Sequence, residues 1–142
     1  MTYRELKKRQ QSEFDAFSRE KMFFAFNKEQ FNDGLAKLGC TASELSPIIC
    51  GGFVRISDRA EYDAMSKRHF DELQEQIRND TTGDGFIFSM FDYELSNHEF
   101  SYTGDPNDAI SACGLTLEDL QNNPALVHGL NRAMQNQMEV NE

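Results

Sequence analysis

The sequence predicts an α+β fold that is mostly α, with about six or seven helices packed around one small β-hairpin. Apolar residues recur at three- and four-residue steps in several segments, which is the period of an amphipathic helix. Pairs of capping residues stand at the start of most of these segments. Strand signals are concentrated in one stretch, residues 47–57, around a pair of glycines.

The first helix begins at a capping box formed by Thr2 and Glu5. Its apolar face carries Tyr3, Leu6, Gln10, Phe14 and Phe17. Residues 21–27 interrupt this pattern with consecutive Met and Phe side chains. That run is compatible with either a buried strand or a buried turn.

A second helix is predicted after a capping box of Asn27 and Gln30. Gly39 ends it, because glycine readily adopts the left-handed conformation that follows a helix. The hairpin comes next, with strands at residues 48–50 and 53–56. Gly51 and Gly52 are predicted to form its two-residue turn, both at positive φ.

The longest helix is predicted from Asp58 to about Arg78, and a Phe-rich helix from about residue 85 to 96. The predicted buried face of the latter carries Ile87, Met90, Phe91 and Leu95. Three shorter helices follow, each with its own cap. Their starts are marked by Asp105-Pro106, by Thr116 with Asp119, and by Asn123-Pro124.

Length and composition indicate one globular domain over residues 1–142, since no linker or repeat divides the chain. The polar N-terminus is not a secretory signal, and no apolar run approaches a membrane span. Three cysteines at residues 40, 50 and 113 form neither a CxxC pair nor an even framework. A cytoplasmic protein with reduced thiols is therefore expected.

The net charge of −10 is concentrated in the second half of the chain. Residues 1–77 hold 12 Lys/Arg against 13 Asp/Glu, whereas residues 78–142 hold 2 against 11. A nucleic-acid-binding face needs clustered cations, so the second half is not expected to contact nucleic acid directly. It is expected to attract a basic surface or to keep the protein soluble.

No catalytic or metal-binding motif is present, which predicts a protein that is not an enzyme and carries no cofactor or metal. The three histidines are far apart in sequence. Residues 80–85 resemble the start of a calcium loop, but its twelfth position is Phe91 in place of the closing Glu. A plain turn, with Asp84 capping the next helix, is favoured there.

Two places are candidates for function. The first is the polar segment 97–105, which is interpreted either as a structural link or as a ligand site formed by His98, Tyr102, Thr103, Gly104 and Asp105. The second is the Gly51-Gly52 turn with Arg55, where hairpin geometry alone would also require glycine.

Several segments resemble a known group of proteins. Residues 1–11 (MTYRELKKRQQ) and 23–26 (FFAF) resemble the N-terminus of small proteins from bacteriophages and integrative elements of Gram-positive bacteria. Residues 93–105 and the Gly-Gly-Phe at 51–53 extend the resemblance over nearly the whole chain. Residues 18–21 are an addition relative to that family, so the resemblance does not define where the first helix ends.

That family of small acidic proteins is functionally uncharacterised, so the resemblance implies no active-site residues. It implies a genomic setting, the accessory cargo of mobile elements, where many small acidic proteins bind and disable host enzymes.

The leading hypothesis is a non-enzymatic interaction protein whose acidic C-terminal half docks on a basic host protein. A defence nuclease is the expected target, inhibited in the manner of an anti-CRISPR or antirestriction protein. The expected partner-binding residues are Asp92, Glu94, Glu99, Asp105, Asp108, Glu118 and Asp119. The alternative is a nucleotide-binding or nucleotide-sequestering protein with a pocket near His98 and Tyr102.

Overall fold

A computed structural model describes residues 1–140 and confirms the predicted fold class, α+β and mostly α. This part of the chain contains eight α-helices, a three-stranded antiparallel sheet and three short 3-10 turns. The elements are α1 (Tyr3–Lys21), β1 (Met22–Phe24), α2 (Lys28–Leu38), β2 (Leu45–Pro47), β3 (Gly52–Arg55), α3 (Arg59–Asn79), α4 (Phe86–Asn97), α5 (Phe100–Thr103), α6 (Asn107–Ala112), α7 (Leu117–Gln121) and α8 (Pro124–Val140).

The chain forms two compact units. The sheet unit comprises residues 9–71, and the helical unit comprises residues 1–8 and 72–140. Both α1 and α3 run from one unit into the other, because the division falls within each of these helices.

The sheet has the order β1-β3-β2, so β3 is central and pairs with both neighbours. Residues 22–24 are therefore a strand, which decides between the two interpretations of this segment in favour of the strand. In the sheet unit, Phe17, Met22, Val54 and Met65 form the buried core. Met22 and Phe23 of the apolar run are buried, which explains why consecutive apolar residues interrupt the helical pattern there.

The predicted hairpin exists, but its first strand and its turn were predicted wrongly. The strand that precedes the turn is β2, and residues 49–51 form a 3-10 turn closed by the Ile48 amide, which donates to the Gly52 carbonyl at 2.9 Å. Cys50 and Gly51 hold the positive φ values, 59° and 76°, while Gly52 is extended at −88°. Residues 48–50 were predicted as a strand because they are apolar and have high β-propensity. Propensity alone does not distinguish a strand from a wide apolar turn.

Most of the predicted helix caps are confirmed. The Thr2–Glu5 and Thr116–Asp119 pairs make both hydrogen bonds of a capping box. Asn27 accepts from the Gln30 amide as predicted, but the Gln30 side chain accepts from the Phe26 amide, so this pair is not a reciprocal box. Gly39 adopts the left-handed conformation after α2, with a φ of 63°. Asp105 and Asn123 accept hydrogen bonds from the amides two residues later, at the starts of α6 and α8.

In the helical unit, α4 and α8 pack along most of their lengths around the larger core. The predicted buried face of α4 is confirmed, because Ile87, Met90, Phe91 and Leu95 are fully inaccessible to solvent. Gly129 lets α8 approach closely: a Cβ at this position would lie 2.5 Å from the Ile87 side chain.

Candidate functional site

The acidic charge follows the division into units. Residues 9–71 hold 9 Lys/Arg against 10 Asp/Glu, a net charge of −1. The other residues of the chain, 1–8 and 72–142, hold 5 against 14, a net charge of −9. From residue 79 to residue 131 the sequence contains no Lys or Arg at all. The helical unit therefore presents a long stretch of chain without a fixed positive charge.

Five of the seven predicted partner-binding acids are exposed, and none of the five forms a salt bridge within residues 1–140. They lie in, between or directly before the short helices α5, α6 and α7: Glu99, Asp105, Asp108, Glu118 and Asp119. Asp105 and Asp119 also cap the helices that follow them, with bonds of 2.9 Å to the Asn107 amide and 2.8 Å to the Thr116 amide. The rest of each carboxylate is exposed to water.

Glu94 does not belong to this surface, which corrects its prediction as a partner-binding residue. Its side chain is only 1 % exposed. The Tyr3 hydroxyl donates to Oε1 at 2.8 Å, and the Lys7 ammonium lies 2.9 Å from the same oxygen. The reason is helical periodicity, since position 94 follows Ile87 by seven residues and Met90 by four on the buried face of α4.

Asp92 is also less available than predicted. It is half-buried, and its Oδ1 accepts hydrogen bonds from the side-chain amides of Asn136 at 2.8 Å and Gln137 at 2.9 Å. Both donors lie on α8, so Asp92 ties α4 to α8. No feature of the sequence predicts this role, because nothing in it indicates that residue 92 contacts the last helix.

Two groups near Glu94, the Tyr3 hydroxyl and the Cys113 thiol, are held in their neutral forms. Burial, followed by the hydrogen bond to Glu94, raises the pKa of the Tyr3 hydroxyl far above its ordinary value. Burial and the nearby Glu94 charge raise the pKa of the Cys113 thiol to about 12. A phenol and a thiol that stay protonated at neutral pH do not act as a base or a nucleophile. What the cluster does structurally is join α1 to α4, through the Tyr3 hydrogen bond and the Lys7 ion pair to Glu94.

His98, the residue that follows α4, lies at the edge of this cluster, and its side chain is 34 % exposed. Its Nε2 lies 3.4 Å from Glu94 Oε2, and this oxygen has no hydrogen-bond partner within residues 1–140. The imidazole is thus directed at Glu94.

The five residues predicted to bind a ligand in the polar segment 97–105 are not gathered into a pocket. Tyr102 is 87 % exposed, and Thr103 and Gly104 end the short helix α5. A cleft of about 370 Å³ lies beside this segment, but none of the five predicted ligand-binding residues lines it. Its walls are formed by Arg4, Asp92, Tyr93, Ser96, Asn97, Glu99 and Gln137. The structural-link interpretation is thus closer to the geometry.

The calcium-like loop is a turn, as favoured, but the capping residue was predicted wrongly. Asp80 caps α4, because its Oδ2 accepts from the amides of Gly85 at 3.1 Å and Ile87 at 3.0 Å. Asp84 instead pairs with Arg132 at 2.7 Å and His128 at 2.8 Å. Within residues 1–140, no group of three or more His, Cys, Asp or Glu residues has the geometry to hold a metal ion.

Arg55, predicted as part of a second candidate site, has a structural role. Its Nε donates to Asp58 at 2.8 Å and its Nη1 to the Leu38 carbonyl at 2.8 Å. The guanidinium therefore joins the end of α2 to the end of β3, and it is not directed at the Gly51-Gly52 turn.

Comparisons with known proteins define the family of this chain. No curated protein and no solved structure matches it. Among residues 1–140, no helix combines the length and the apolar composition that crossing a membrane requires. A family model described as a family of unknown function (DUF7659) matches residues 2–136, nearly the whole chain. The chain therefore belongs to this family of unknown function, DUF7659.

Proposed function

We propose that this chain is a non-enzymatic interaction protein whose helical unit docks on a basic surface of another protein. One observation carries the proposal. From residue 79 to residue 131 there is no Lys or Arg, and five carboxylates in this stretch are exposed without a salt bridge within residues 1–140. Surface acids usually stand among cations, so an unneutralised stretch of this length attracts a positively charged partner.

The acidic surface, defined as Glu99, Asp105, Asp108, Glu118 and Asp119, also has apolar neighbours. Tyr102 is 87 % exposed between the first two of these acids, and Leu117 is 62 % exposed beside the last two. Interfaces draw most of their binding energy from a few apolar or aromatic anchors, while charges increase the association rate and the specificity. This mixture supports protein binding over simple solubility.

The proposed partner is a host protein whose basic cleft normally holds nucleic acid. Such clefts are rich in Lys and Arg because they neutralise a phosphate backbone. A set of exposed carboxylates competes for the same cations, which would inhibit a defence nuclease in the manner of an anti-CRISPR or antirestriction protein. The resemblance to phage and mobile-element proteins supports this setting.

The test is affinity capture from the host lysate at low and high salt, followed by a binding measurement on the captured protein. We expect at least a tenfold weaker complex at about 500 mM than at about 50 mM salt, because salt screens exposed charges. The triple variant Glu99→Gln, Asp108→Asn, Glu118→Gln should weaken binding at low salt by a similar factor. These three positions are chosen because Asp105 and Asp119 cap helices.

A matched control removes the same charge from the sheet unit. Glu20→Gln, Glu29→Gln, Asp33→Asn alters three exposed acids there and should leave the affinity unchanged. Binding that is indifferent to salt, or that both triple variants weaken equally, would contradict the proposal.

The alternative function, nucleotide binding or sequestration, is the weaker proposal. The cleft beside residues 97–105 offers one guanidinium, from Arg4, and two carboxylates, from Asp92 and Glu99. Two carboxylates disfavour a phosphate group in a site of this size. A nucleotide at a hundred times its Kd would stabilise the protein by roughly 2.7 kcal/mol. We expect a thermal-shift screen across nucleotides to find no such stabilisation.

A further inference from the structure

The cleft of about 370 Å³ beside residues 97–105 lies wholly within the helical unit. Its walls come from α1, α4, α8 and the junction of α4 with α5. Apart from the ring of Tyr93, the side chains that line it are polar. Small-molecule sites measure about 300–1,000 Å³, so this polar cleft suits a small, polar molecule.

Arg4 provides the positive charge of the polar cleft. Its Cζ lies 5.1 Å from the centre of the Tyr93 ring, and this contact positions the guanidinium without using its N–H donors. Arg4 forms no salt bridge within residues 1–140. It also stands in the first turn of α1, where the helix dipole disfavours a cation. Helix stability therefore does not account for this charge, and its donors are available to a carboxylate.

Two carboxylates line the same cleft. Asp92 is held in place by α8, because its Oδ1 accepts from Asn136 at 2.8 Å and from Gln137 at 2.9 Å. Both bonds go to Oδ1, which leaves Oδ2 for a further donor. Glu99 is exposed and has a φ of 57°, which is uncommon for a residue with a Cβ. In the part of the chain that the structure describes, neither carboxylate forms a salt bridge.

The polar cleft thus contains opposite charges that are not paired with one another. A guanidinium and a carboxylate within reach normally form a direct, bidentate pair. Here Arg4 pairs with neither Asp92 nor Glu99, so a molecule that carries both signs of charge would satisfy all three groups. The three side chains sum to a charge of −1, which is complementary to a ligand of charge +1.

We propose that the polar cleft binds a free basic α-amino acid. Arg4 holds the α-carboxylate, and Asp92 and Glu99 hold the α-ammonium and the cationic side chain. A neutral amino acid would leave one of the two carboxylates without a partner. A simple amine would leave Arg4 without one, and would meet an uncompensated positive charge. The ligand class follows from the number and the sign of the charges that line the cleft.

The test is an NMR titration of the isotope-labelled full chain with L-arginine at low salt. We expect saturable shifts of the amide signals of residues 92–99, with a dissociation constant below about 1 mM, which is within reach of a ligand of this size. Agmatine lacks the α-carboxylate, and L-citrulline lacks the side-chain charge. Each should bind at least about tenfold more weakly than L-arginine, because a hydrogen bond to a charged group is lost.

Arg4→Gln distinguishes the proposed geometry from a general effect of charge. It should weaken L-arginine at least about tenfold without weakening agmatine, which has no carboxylate to lose. Lys8→Gln removes the same charge from an exposed residue of α1 that does not line the cleft, and should leave both affinities unchanged. Glu99→Gln, at another exposed position, should weaken L-arginine by a similar factor to Arg4→Gln. The same spectra check that each variant is folded.

Three outcomes would overturn the proposal. The first is an absence of shifts with L-arginine up to about 10 mM. The second is agmatine binding as tightly as L-arginine, which would make the cleft a site for cations alone. The third is equal weakening by Arg4→Gln and Lys8→Gln.

The proposal goes beyond the docking function and does not depend on it. Glu99 also belongs to the acidic surface, but Arg4 does not, so Arg4→Gln tests the cleft without changing that surface. Salt-dependent capture of a protein partner, carried out without added arginine, tests the docking function separately.

Discussion

Glu94 is a charged residue, of a type usually found on the surface, but it is buried in the core. It is one of the seven acids predicted to bind a partner, yet its side chain is only 1 % exposed. An ionised carboxylate is retained in such a place only if hydrogen bonds and an opposite charge compensate for the lost water. Tyr3 and Lys7 provide that compensation.

Removing the Tyr3 hydroxyl should therefore destabilise the protein more than the loss of a surface hydrogen bond would. We expect Tyr3→Phe to lower the free energy of unfolding by about 1.5–3 kcal/mol, since a buried charged acceptor loses a donor. Urea denaturation at pH 7 measures the change. Tyr102→Phe is the matched control, and its solvent-exposed hydroxyl should contribute less than about 0.5 kcal/mol. Equal effects of the two substitutions would show that Glu94 does not depend on Tyr3.

At the scale of elements, the contact between α4 and α8 depends on a missing side chain. Helix propensity alone favours Ala over Gly by about 1 kcal/mol at an internal position such as residue 129. The structure reverses this preference, because a Cβ there would lie 2.5 Å from Ile87 Cγ2 and 2.7 Å from the Gly83 carbonyl oxygen.

We accordingly expect Gly129→Ala to destabilise the protein by about 1–3 kcal/mol, the usual effect of overpacking. Asn131→Ala, at an exposed position of the same helix, should be neutral or slightly stabilising. Thermal or urea unfolding of both variants provides the comparison. A stabilising Gly129→Ala substitution would mean that α8 moves away from α4 at little energetic cost.

The start of α4 depends on Asp80. Burial opposes ionisation of this carboxyl, but the backbone amides of Ile87, Gly83 and Gly85 outweigh that effect and hold its pKa below the ordinary value of 3.8. A lowered pKa contributes stability that is present above the ordinary value and is lost as the pH falls through the folded-state value.

Asp80→Ala should thus destabilise the protein by about 1–2 kcal/mol at pH 7, as expected for a lost helix cap. The difference from wild type should shrink as the pH falls below about 3.8. Urea denaturation between neutral and acidic pH measures this. Asp84→Ala removes an exposed ion pair and should have a smaller effect, below about 1 kcal/mol. A destabilisation by Asp80→Ala that does not change with pH would contradict the assignment.

At the scale of the whole molecule, one domain over residues 1–142 remains a prediction. The chain divides into two compact units, but α1 and α3 each continue from one unit into the other. Helix formation is cooperative along the backbone, so unfolding one unit should disturb the other through these two helices.

We expect the two units to unfold together. Hydrogen exchange in increasing urea, followed by mass spectrometry, should give one transition midpoint for peptides from β3 and from α8, which lie in different units. Different midpoints for these peptides would show that the units are independent domains.

Local patterns in the sequence determined a large part of this fold. Most capping pairs and the Gly39 stop were predicted, because each depends on hydrogen bonds within a few residues along the chain. The buried face of α4 was predicted from the three- and four-residue spacing of its apolar residues, which is also a local pattern. The uneven distribution of charge along the chain was also determined from the sequence, since it follows from the residue types alone.

Tertiary structure decided what depends on partners distant in sequence. The sequence did not indicate that Glu94 faces Tyr3, that Asp92 faces Asn136, or that Asp84 pairs with Arg132, each at least 44 residues away. Residues 48–50 became a turn because β3 pairs with residues 45–47, a register that strand propensity does not determine. Which acids remain on the surface is the result of this packing, because charge is a property of a residue and exposure is a property of the fold.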